Sequence, residues 1–392
     1  MKYNFDEIIS RRGTNSMKWD DSDDPEMLPL WVADMDFRAA PCIRQALQRR
    51  LDHGIFGYVR VPETYYEAVI NWFARRHGWK MQSEDILYTS GVLPAIAAIL
   101  RAVTTPGDGV LMLTPIYNCF YASIRNAGCR LVDVPLAYEE QTYHIDFEAF
   151  EQAIVRQQVK GFLLCNPHNP VGRVWTREEL ARMGDLCLKH GVFVISDEIH
   201  CELVMPGFRY TPFAAVRPEF ARHSAICTSP TKSFNIPGLQ IANITIADAD
   251  VRRGVDKAIN IHETCDVNPF GVDALQAVYS ADGEEWLNEL LPYIHENYNL
   301  LCRFVAEHMP KLRVTRLEGT YLAWVDCAAL GIESEELAEK LRTQAHVRFA
   351  PGREYDVRHS SFLRINLACP RSILLSSLRG FAGVYLAISR FS

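Results

Sequence analysis

The chain has 392 residues, 48% of them hydrophobic and 23% charged, which is ordinary for a globular protein of two domains. Its net charge of −7 gives no reason to expect nucleic acid or an anionic membrane as a partner. The eleven cysteines contain no C-x-x-C pair and the twelve histidines no HExxH spacing, which argues against a metal site and favours reduced thiols in a cytoplasm.

No segment near the start of the chain reads as a secretory signal, because the first twenty residues are rich in charge. The longest apolar run, residues 91–100, is about half the length of a membrane span and indicates a core helix. We therefore expect a cytoplasmic protein with a small-molecule partner and without a membrane partner.

Apolar strand patterns alternate with helical patterns through the middle of the chain. We predict strands over residues 85–89, 109–113, 131–134, 161–165, 192–196, 225–228 and 240–246. Helical patterns run to residue 103 after the first strand, from Pro115 to about 128, and from a capping box at Thr176 and Glu179 to about 190. This alternation predicts an α/β fold, with a mostly parallel sheet and helices on both faces.

The remainder of the chain predicts a smaller α+β domain. The pattern is helical for about forty residues after Asn268, and short strands follow at 320–325 and 362–366. We expect the N-terminal segment to complete this domain. The predicted large domain thus comprises residues 50–285, and the small domain comprises residues 1–49 and 286–392.

Three polar residues follow successive strands and point to one chemistry. Asn169, Asp197 and Lys232 come 28 and then 35 residues apart, each just beyond an apolar strand. Ligands of open α/β sheets bind at the carboxyl ends of strands. A lysine can form a Schiff base, a carboxylate can hold a pyridinium nitrogen charged, and an asparagine amide can donate to a phenolic oxygen. These are the groups that pyridoxal phosphate (PLP) requires.

Other residues fit the same cofactor and its substrate. The backbone N–H groups of Val92 and Leu93 open a helix and suit a phosphate, to which the Ser229 hydroxyl could also donate. Tyr117 could stack on the cofactor ring. Arg364 lies in a strand among apolar neighbours and suits the carboxylate of an amino acid. The structural alternatives are a surface lysine, a capping aspartate, a rigid turn at Asn169, a core tyrosine and a salt-bridged arginine.

Several motifs in order resemble the fold type I PLP enzymes, the aspartate aminotransferase superfamily. WVADMDF at 31–37, NPHNPVG at 166–172, DEIH at 197–200 and SPTKSFNIPGL at 229–239 are similar to its cystathionine β-lyase branch of the MalY/PatB type, as are FGY at 56–58 and EGTYLAWVD at 318–326. The resemblance covers essentially the whole chain. It implies a homodimer with active sites at the interface, in which Tyr58 reaches the phosphate, and the substrate, at the neighbouring site.

The sequence departs from the common aminotransferase pattern at two positions. Gln240 stands where many of these enzymes have an arginine on the cofactor phosphate, eight residues after the lysine. His200 stands where many have a tyrosine near the ring oxygen. We interpret His200 as a residue that tunes the cofactor.

Three functions remain in competition. The preferred hypothesis is a C–S β-lyase acting on cystathionine or a related S-substituted cysteine, in which Lys232 removes the Cα proton, Asp197 supports the charge, and Tyr58 or Tyr117 assists the leaving sulfur. The alternative is an aminotransferase, which shares the first half of that reaction. A third hypothesis is a regulatory protein that keeps the fold but acts on a partner.

Overall fold

The chain folds around a seven-stranded sheet. The computed structural model describes residues 2–261 and 266–389. In chain order the strands of this sheet are β1 (Ile86–Thr89), β2 (Gly109–Thr114), β3 (Arg130–Pro135), β4 (Val159–Cys165), β5 (Phe193–Asp197), β6 (Ser224–Thr228) and β7 (Ala242–Thr245). Their order across the sheet is β1-β7-β6-β5-β4-β2-β3, and only β7 runs antiparallel to its neighbours.

Helices cover both faces of the sheet, as the sequence predicts. Alternate residues of one strand enter different apolar cores: on β4, Phe162 and Leu164 face one core, whereas Leu163 and Cys165 face the other. The second core packs against helices Val92–Val103, Cys119–Asn126 and Ala249–Asn260. The other α-helices are Pro41–His53, Glu63–His77, Phe147–Arg156, Arg177–His190, Pro218–Arg222, Pro269–Val278, Ala281–His308, Ser334–Ala345 and Arg371–Ser389.

A second, antiparallel sheet lies in the C-terminal part. Its strands are β8 (Arg313–Val314), β9 (Leu322–Asp326), β10 (Ala350–Pro351) and β11 (Phe362–Asn366), in the order β8-β9-β11-β10. The N-terminal strand Leu28–Pro29 pairs in parallel with Val347–Arg348, so the start of the chain joins this part. A hairpin of Ala137–Glu139 and Thr142–His144 completes the strands.

All seven predicted strands of the large sheet are present within one or two residues, and the capping box at Thr176 and Glu179 is formed. The helix predicted to open at Pro115 instead begins at Cys119. Residues 115–118 are irregular, and the Ile116 N–H there donates to the Tyr355 carbonyl of the C-terminal part at 3.3 Å.

The predicted domain limits fall inside helices. Residue 49 lies within Pro41–His53, and residue 285 lies within Ala281–His308. Cys265 and the last three residues of the predicted small domain lie outside the described residues. The ten cysteines that the structure describes are free thiols. Within the described residues one helix, Arg371–Ser389, is long and apolar enough to cross a membrane, and one of its faces, with Ile373, Leu374, Leu378 and Phe381, packs in the protein core.

Candidate active site

A cavity of about 250 Å³ opens at the carboxyl ends of the parallel strands. It contains the end of β4 and Asn169 beyond it, the end of β5, and the turn after β6 that carries Lys232. The lining residues are Ala33, Ser90, Gly91, Val92, Leu93, Pro94, Tyr117, Cys165, Asn169, Asp197, Ile199, His200, Thr231, Lys232, Pro237, Gln240 and Ile241. The structure thus brings together most of the site residues that the sequence singles out.

Lys232 projects into this cavity from the turn after β6. Its Nζ donates to the carbonyl oxygen of Ala33 at 2.6 Å. Burial, followed by the nearby cation of Arg364, lowers the pKa of the Lys232 amine to about 8, against the opposing effect of Asp34 and Asp197. A large fraction of this amine is therefore neutral near pH 8, the form that attacks a carbonyl or removes a proton.

Asp197 is the last residue of β5 and is 5% exposed. Burial raises the pKa of its carboxyl group to about 7, while the Ile199 N–H at 3.0 Å and Lys232 act in the opposite direction. A positive ring nitrogen in the cavity would stabilise the ionised carboxylate. The role of Asp197 at such a nitrogen stays a prediction.

Asn169, which lines the cavity, is bonded to Arg364, which is buried and is not among the residues that line it. Nη1 of Arg364 donates to Oδ1 of Asn169 at 3.2 Å, and Nη2 donates to the Trp31 carbonyl at 2.7 Å. The guanidinium also lies 4.7 Å from the ring centre of Tyr355. Its Nε is buried without a partner. Arg364 is thus held in place, and its Nε donor is not used within the protein.

The first turn of helix Val92–Val103 lies at another side of the cavity, and Val92 and Leu93 line it. The free N–H groups of a helix N-terminus suit a phosphate. Ser229 differs from the prediction: its hydroxyl donates to the Ile241 carbonyl at 2.5 Å and it does not line the cavity, whereas Thr231 does. Gln240, in place of the arginine of many aminotransferases, also lines it.

Tyr117 and His200 line the cavity from different elements. Burial raises the pKa of the Tyr117 hydroxyl, which therefore stays protonated at neutral pH. Burial, with Lys232 and Arg364 nearby, lowers the pKa of His200 to about 3, so this imidazole is neutral. Its Nδ1 is buried without a partner and remains free to meet a ligand.

Tyr58 lies apart from the cavity. Its side chain is 95% exposed, and Phe56 and Ile55 beside it are also exposed. Within one chain it therefore cannot act on a ligand of this cavity.

The 31–37 segment of the N-terminal part borders the cavity at Ala33, a contact that the side chains of the segment do not predict. Its main-chain carbonyls accept bonds from active-site side chains: Ala33 from Lys232 and from the Tyr321 hydroxyl at 2.9 Å, and Val32 from Asn366 at 2.7 Å. The side chains of Asp34 and Asp36 anchor the segment to Lys18 and Arg11. A carbonyl acceptor leaves no mark in the sequence, which explains why this contact was missed.

The cavity fits PLP by the chemistry of its groups. It holds an amine, a carboxylate, an amide, an aromatic ring and a helix N-terminus within one space. The described ranges contain no group of three or more His, Cys, Asp or Glu side chains that could hold a metal ion.

Comparison with known proteins agrees with this chemistry. The chain matches the aminotransferase class I and II family over residues 25–374. It is 40% identical to the cystathionine β-lyase PatB of Bacillus subtilis (strain 168), across 96% of this chain and 98% of that protein. The structure of cystalysin from Treponema denticola, which contains PLP, matches with a TM-score of 0.95 and 33% identity over all of both chains. A PLP-bound C–S lyase from Staphylococcus hominis matches at a TM-score of 0.92 and 32% identity, over 98% of this chain and 99% of that chain.

Proposed function

Because the chain belongs to the aminotransferase class I and II family, whose fold type I members bind PLP, we propose that it is a PLP-dependent C–S β-lyase of the cystathionine β-lyase type. The reaction converts an S-substituted L-cysteine into a thiol, pyruvate and ammonia. The observation that carries the proposal is the grouping of Lys232, Asp197 and Asn169 in one cavity of a chain that is similar over its whole length to C–S lyases.

Each group of the cofactor has a partner in this chain. Lys232 would hold its aldehyde carbon, Asp197 its ring nitrogen, and Asn169 its ring oxygen, with His200 nearby. Tyr117 would stack on the ring, and the N–H groups of Val92 and Leu93 would receive the phosphate, together with the Ser229 turn. When bound, PLP supplies an electron sink that stabilises negative charge on the substrate Cα.

The chain's own residues perform the proton transfers. A Lys232 amine with a pKa of about 8 is a suitable general base for the Cα proton, because its neutral form is far more populated near physiological pH than that of an ordinary lysine. The Ala33 carbonyl holds that amine in position. Tyr117 keeps its proton at neutral pH and is the tyrosine of this chain that can supply it to the leaving sulfur from within the cavity.

Arg364 selects the substrate through its carboxylate. Its guanidinium is buried, bonded to Asn169 and Trp31, and retains a free Nε donor. An α-carboxylate would find a pre-oriented cation there, which favours substrates that carry a carboxylate.

The proposed assembly is a homodimer in the cytoplasm with small-molecule substrates. Support comes from the exposed residues Leu51, Ile55, Phe56 and Tyr58, because apolar side chains grouped on a surface mark an interface. In the dimer Tyr58 of one subunit would reach the phosphate and the substrate at the neighbouring site.

The deciding experiment measures pyruvate and free thiol released from L-cystathionine, with added PLP and no keto acid. We expect both products from the wild type and neither from Lys232→Ala. Lys257→Ala, which removes an exposed lysine, is the matched control and should keep full activity. If neither product appears without a keto acid, and amino transfer to the keto acid begins once one is added, the protein is an aminotransferase and the proposal is wrong.

A further inference from the structure

Glu198, the neighbour of Asp197, is a fully buried carboxylate that none of the proposed chemistry uses. Its side chain is 0% exposed and does not line the cavity. It accepts hydrogen bonds from the Ser196 hydroxyl at 2.8 Å, the Phe213 N–H at 3.0 Å, the Asn166 amide at 3.4 Å and the Tyr210 hydroxyl. All four donors are neutral groups, so Glu198 is a hydrogen-bonding centre and not half of an ion pair.

The donors belong to three separate pieces of chain. Ser196 lies on β5 itself, Tyr210 and Phe213 lie in the 210–213 segment, and Asn166 opens the loop after β4. One buried carboxylate therefore joins the strand that ends in Asp197 to the loop that carries Asn169.

Asn166 is fixed by further bonds that depend on the same arrangement. Its amide also donates to the Thr211 carbonyl at 3.1 Å. Thr211 lies between Tyr210 and Phe213, which both donate to Glu198. Its backbone N–H donates to the carbonyl of Asp197 at 2.9 Å. The position of Asn169, three residues further on, is thus set relative to Asp197 from behind the cavity.

We propose that Glu198 is a positioning residue, which holds Asn169 and Asp197 at the spacing that the cofactor ring requires. This inference rests on the proposed use of PLP, but not on which bond the enzyme breaks. The role is one of hydrogen bonding: the carboxylate organises three pieces of chain and never touches the ligand.

Two substitutions separate this role from general packing. Glu198→Ala removes the acceptor of Ser196, Tyr210 and Phe213, and leaves the Asn166 amide with only the Thr211 carbonyl. Glu198→Gln keeps a carbonyl oxygen for Ser196, Phe213 and Asn166, and its NH₂ group can donate to Tyr210, whose hydroxyl serves either as donor or as acceptor. Gln should therefore rescue the function that Ala loses.

The test measures how the visible absorption band of the bound cofactor changes with pH, alongside cofactor affinity. A donor to the ring oxygen favours its ionised form, so displacing Asn169 should raise the pH midpoint of this band. We expect Glu198→Ala to raise it by roughly 0.5–1 pH unit and to weaken PLP binding by about tenfold. Glu198→Gln should stay close to the wild type in both.

Glu202→Ala is the matched control, because Glu202 is also buried but accepts from Trp72, Arg76 and His77 of helix Glu63–His77. We expect it to lower the melting temperature without moving the band midpoint. A midpoint shift as large as that of Glu198→Ala, or an unchanged midpoint in Glu198→Ala, would overturn the proposal.

If Glu198→Ala does not fold, Asn166→Ala and Tyr210→Phe each remove one bond from the same centre. Either variant should raise the midpoint, and a wild-type midpoint in both would also reject the role. The band arises from cofactor bound to Lys232. Loss of the band in Lys232→Ala would therefore show that the protein uses PLP, whatever the result for Glu198. The outcome is therefore independent of whether the enzyme proves to be a lyase or an aminotransferase.

Discussion

Burial shifts the pKa values of two active-site groups, Lys232 and Asp197, in the directions that favour their neutral forms. Burial lowers the pKa of the Lys232 amine to about 8 and raises the pKa of the Asp197 carboxyl to about 7. Both groups thus carry an unfavourable desolvation cost in the cofactor-free protein. A bound pyridinium relieves this cost for Asp197, so cofactor affinity and the instability of the empty site have a common origin.

The lowered pKa of Lys232 predicts the pH dependence of cofactor loading. Only the neutral amine attacks an aldehyde, so the rate of appearance of the visible band should rise with pH and reach half its maximum near pH 8. Stopped-flow mixing of cofactor-free protein with PLP measures this rate. A rate that keeps rising toward pH 10.5, the value of an ordinary lysine, would contradict the shift.

Asp197→Asn should stabilise the cofactor-free protein above pH 7. The folded-state pKa of about 7 lies above the value of 3.8 for an ordinary aspartate, so the folded state binds the extra proton. The free energy of unfolding of the wild type therefore falls as pH rises from about 3.8 to about 7. We expect the variant to melt a few degrees higher than the wild type at pH 8 and at nearly the same temperature at pH 4. The same variant should bind PLP more weakly, and a lower melting temperature at pH 8 would contradict this account.

The active-site side chains that could be predicted from the sequence are those that come at or just after the end of a strand. Asn169, Asp197 and Lys232 each lie just beyond an apolar run, and parallel strands bring their ends to one edge. The partner of Lys232 is a main-chain carbonyl, which every residue has, so no pattern could predict it. Ser229 was assigned to the phosphate because of its distance from Lys232 along the chain, whereas its hydroxyl is committed to Ile241.

At the level of elements, two loops around the site are packed against each other by ion pairs and small residues. Glu318 accepts from Nε of Arg173 at 2.8 Å and from the Val174 N–H at 3.0 Å. Gly172 has a φ of +75°, and a side chain there would come within 2.7 Å of Leu317. These contacts hold the loop after β4, with Asn169, against the turn that leads into β9.

The 31–37 segment depends on a buried ion pair. Lys18 and Asp36 are 2% and 4% exposed and lie 2.7 Å apart. Lys18→Met should lower the free energy of unfolding by about 3 kcal/mol, since it leaves a buried carboxylate short of one partner. The exposed pair of Arg38 and Glu7 is the control, and Arg38→Ala should cost far less, because solvent screens an exposed ion pair. Chemical denaturation at a fixed cofactor concentration measures both, and equal losses would contradict the prediction.

The large sheet was predictable because its strands are short apolar runs that alternate with helices. Helices Pro41–His53 and Glu63–His77 were not predicted. The first buries only Ile43 and Ala46 fully, so its apolar period is weak. The glycines that end both helices, Gly54 and Gly78, have positive φ and were the signal that was overlooked.

At the scale of the whole molecule, Tyr58 lies on the surface, away from the cavity of its own chain. Tyr58 is 95% exposed, whereas Lys232 lies within the cavity. Activity would then depend on two subunits that contribute different residues to each site.

Hybrid dimers test this arrangement. Lys232→Ala and Tyr58→Ala should each be nearly inactive alone. After subunit exchange about half of the dimers are mixed, and each of these has one intact site, so activity should return to about a quarter of the wild type. Mixing Lys232→Ala with Asp197→Ala, both within one cavity, is the control and should restore none. Absence of recovery in the first mixture would place Tyr58 outside the neighbouring site.

The carbonyls of the 31–37 segment have a consequence for how this enzyme can be mapped and altered. Every amino acid carries the same carbonyl, so an alanine scan of the segment removes none of the acceptors for Lys232, Arg364 and Asn366. Such a scan should report the loss of the Asp34 and Asp36 carboxylates and of the buried Met35 and Phe37 side chains, and leave the main-chain contacts undetected. For the same reason Ala33, the residue of this segment that lines the cavity, is a suitable position for libraries that reshape substrate preference, because its carbonyl remains whatever side chain is placed there.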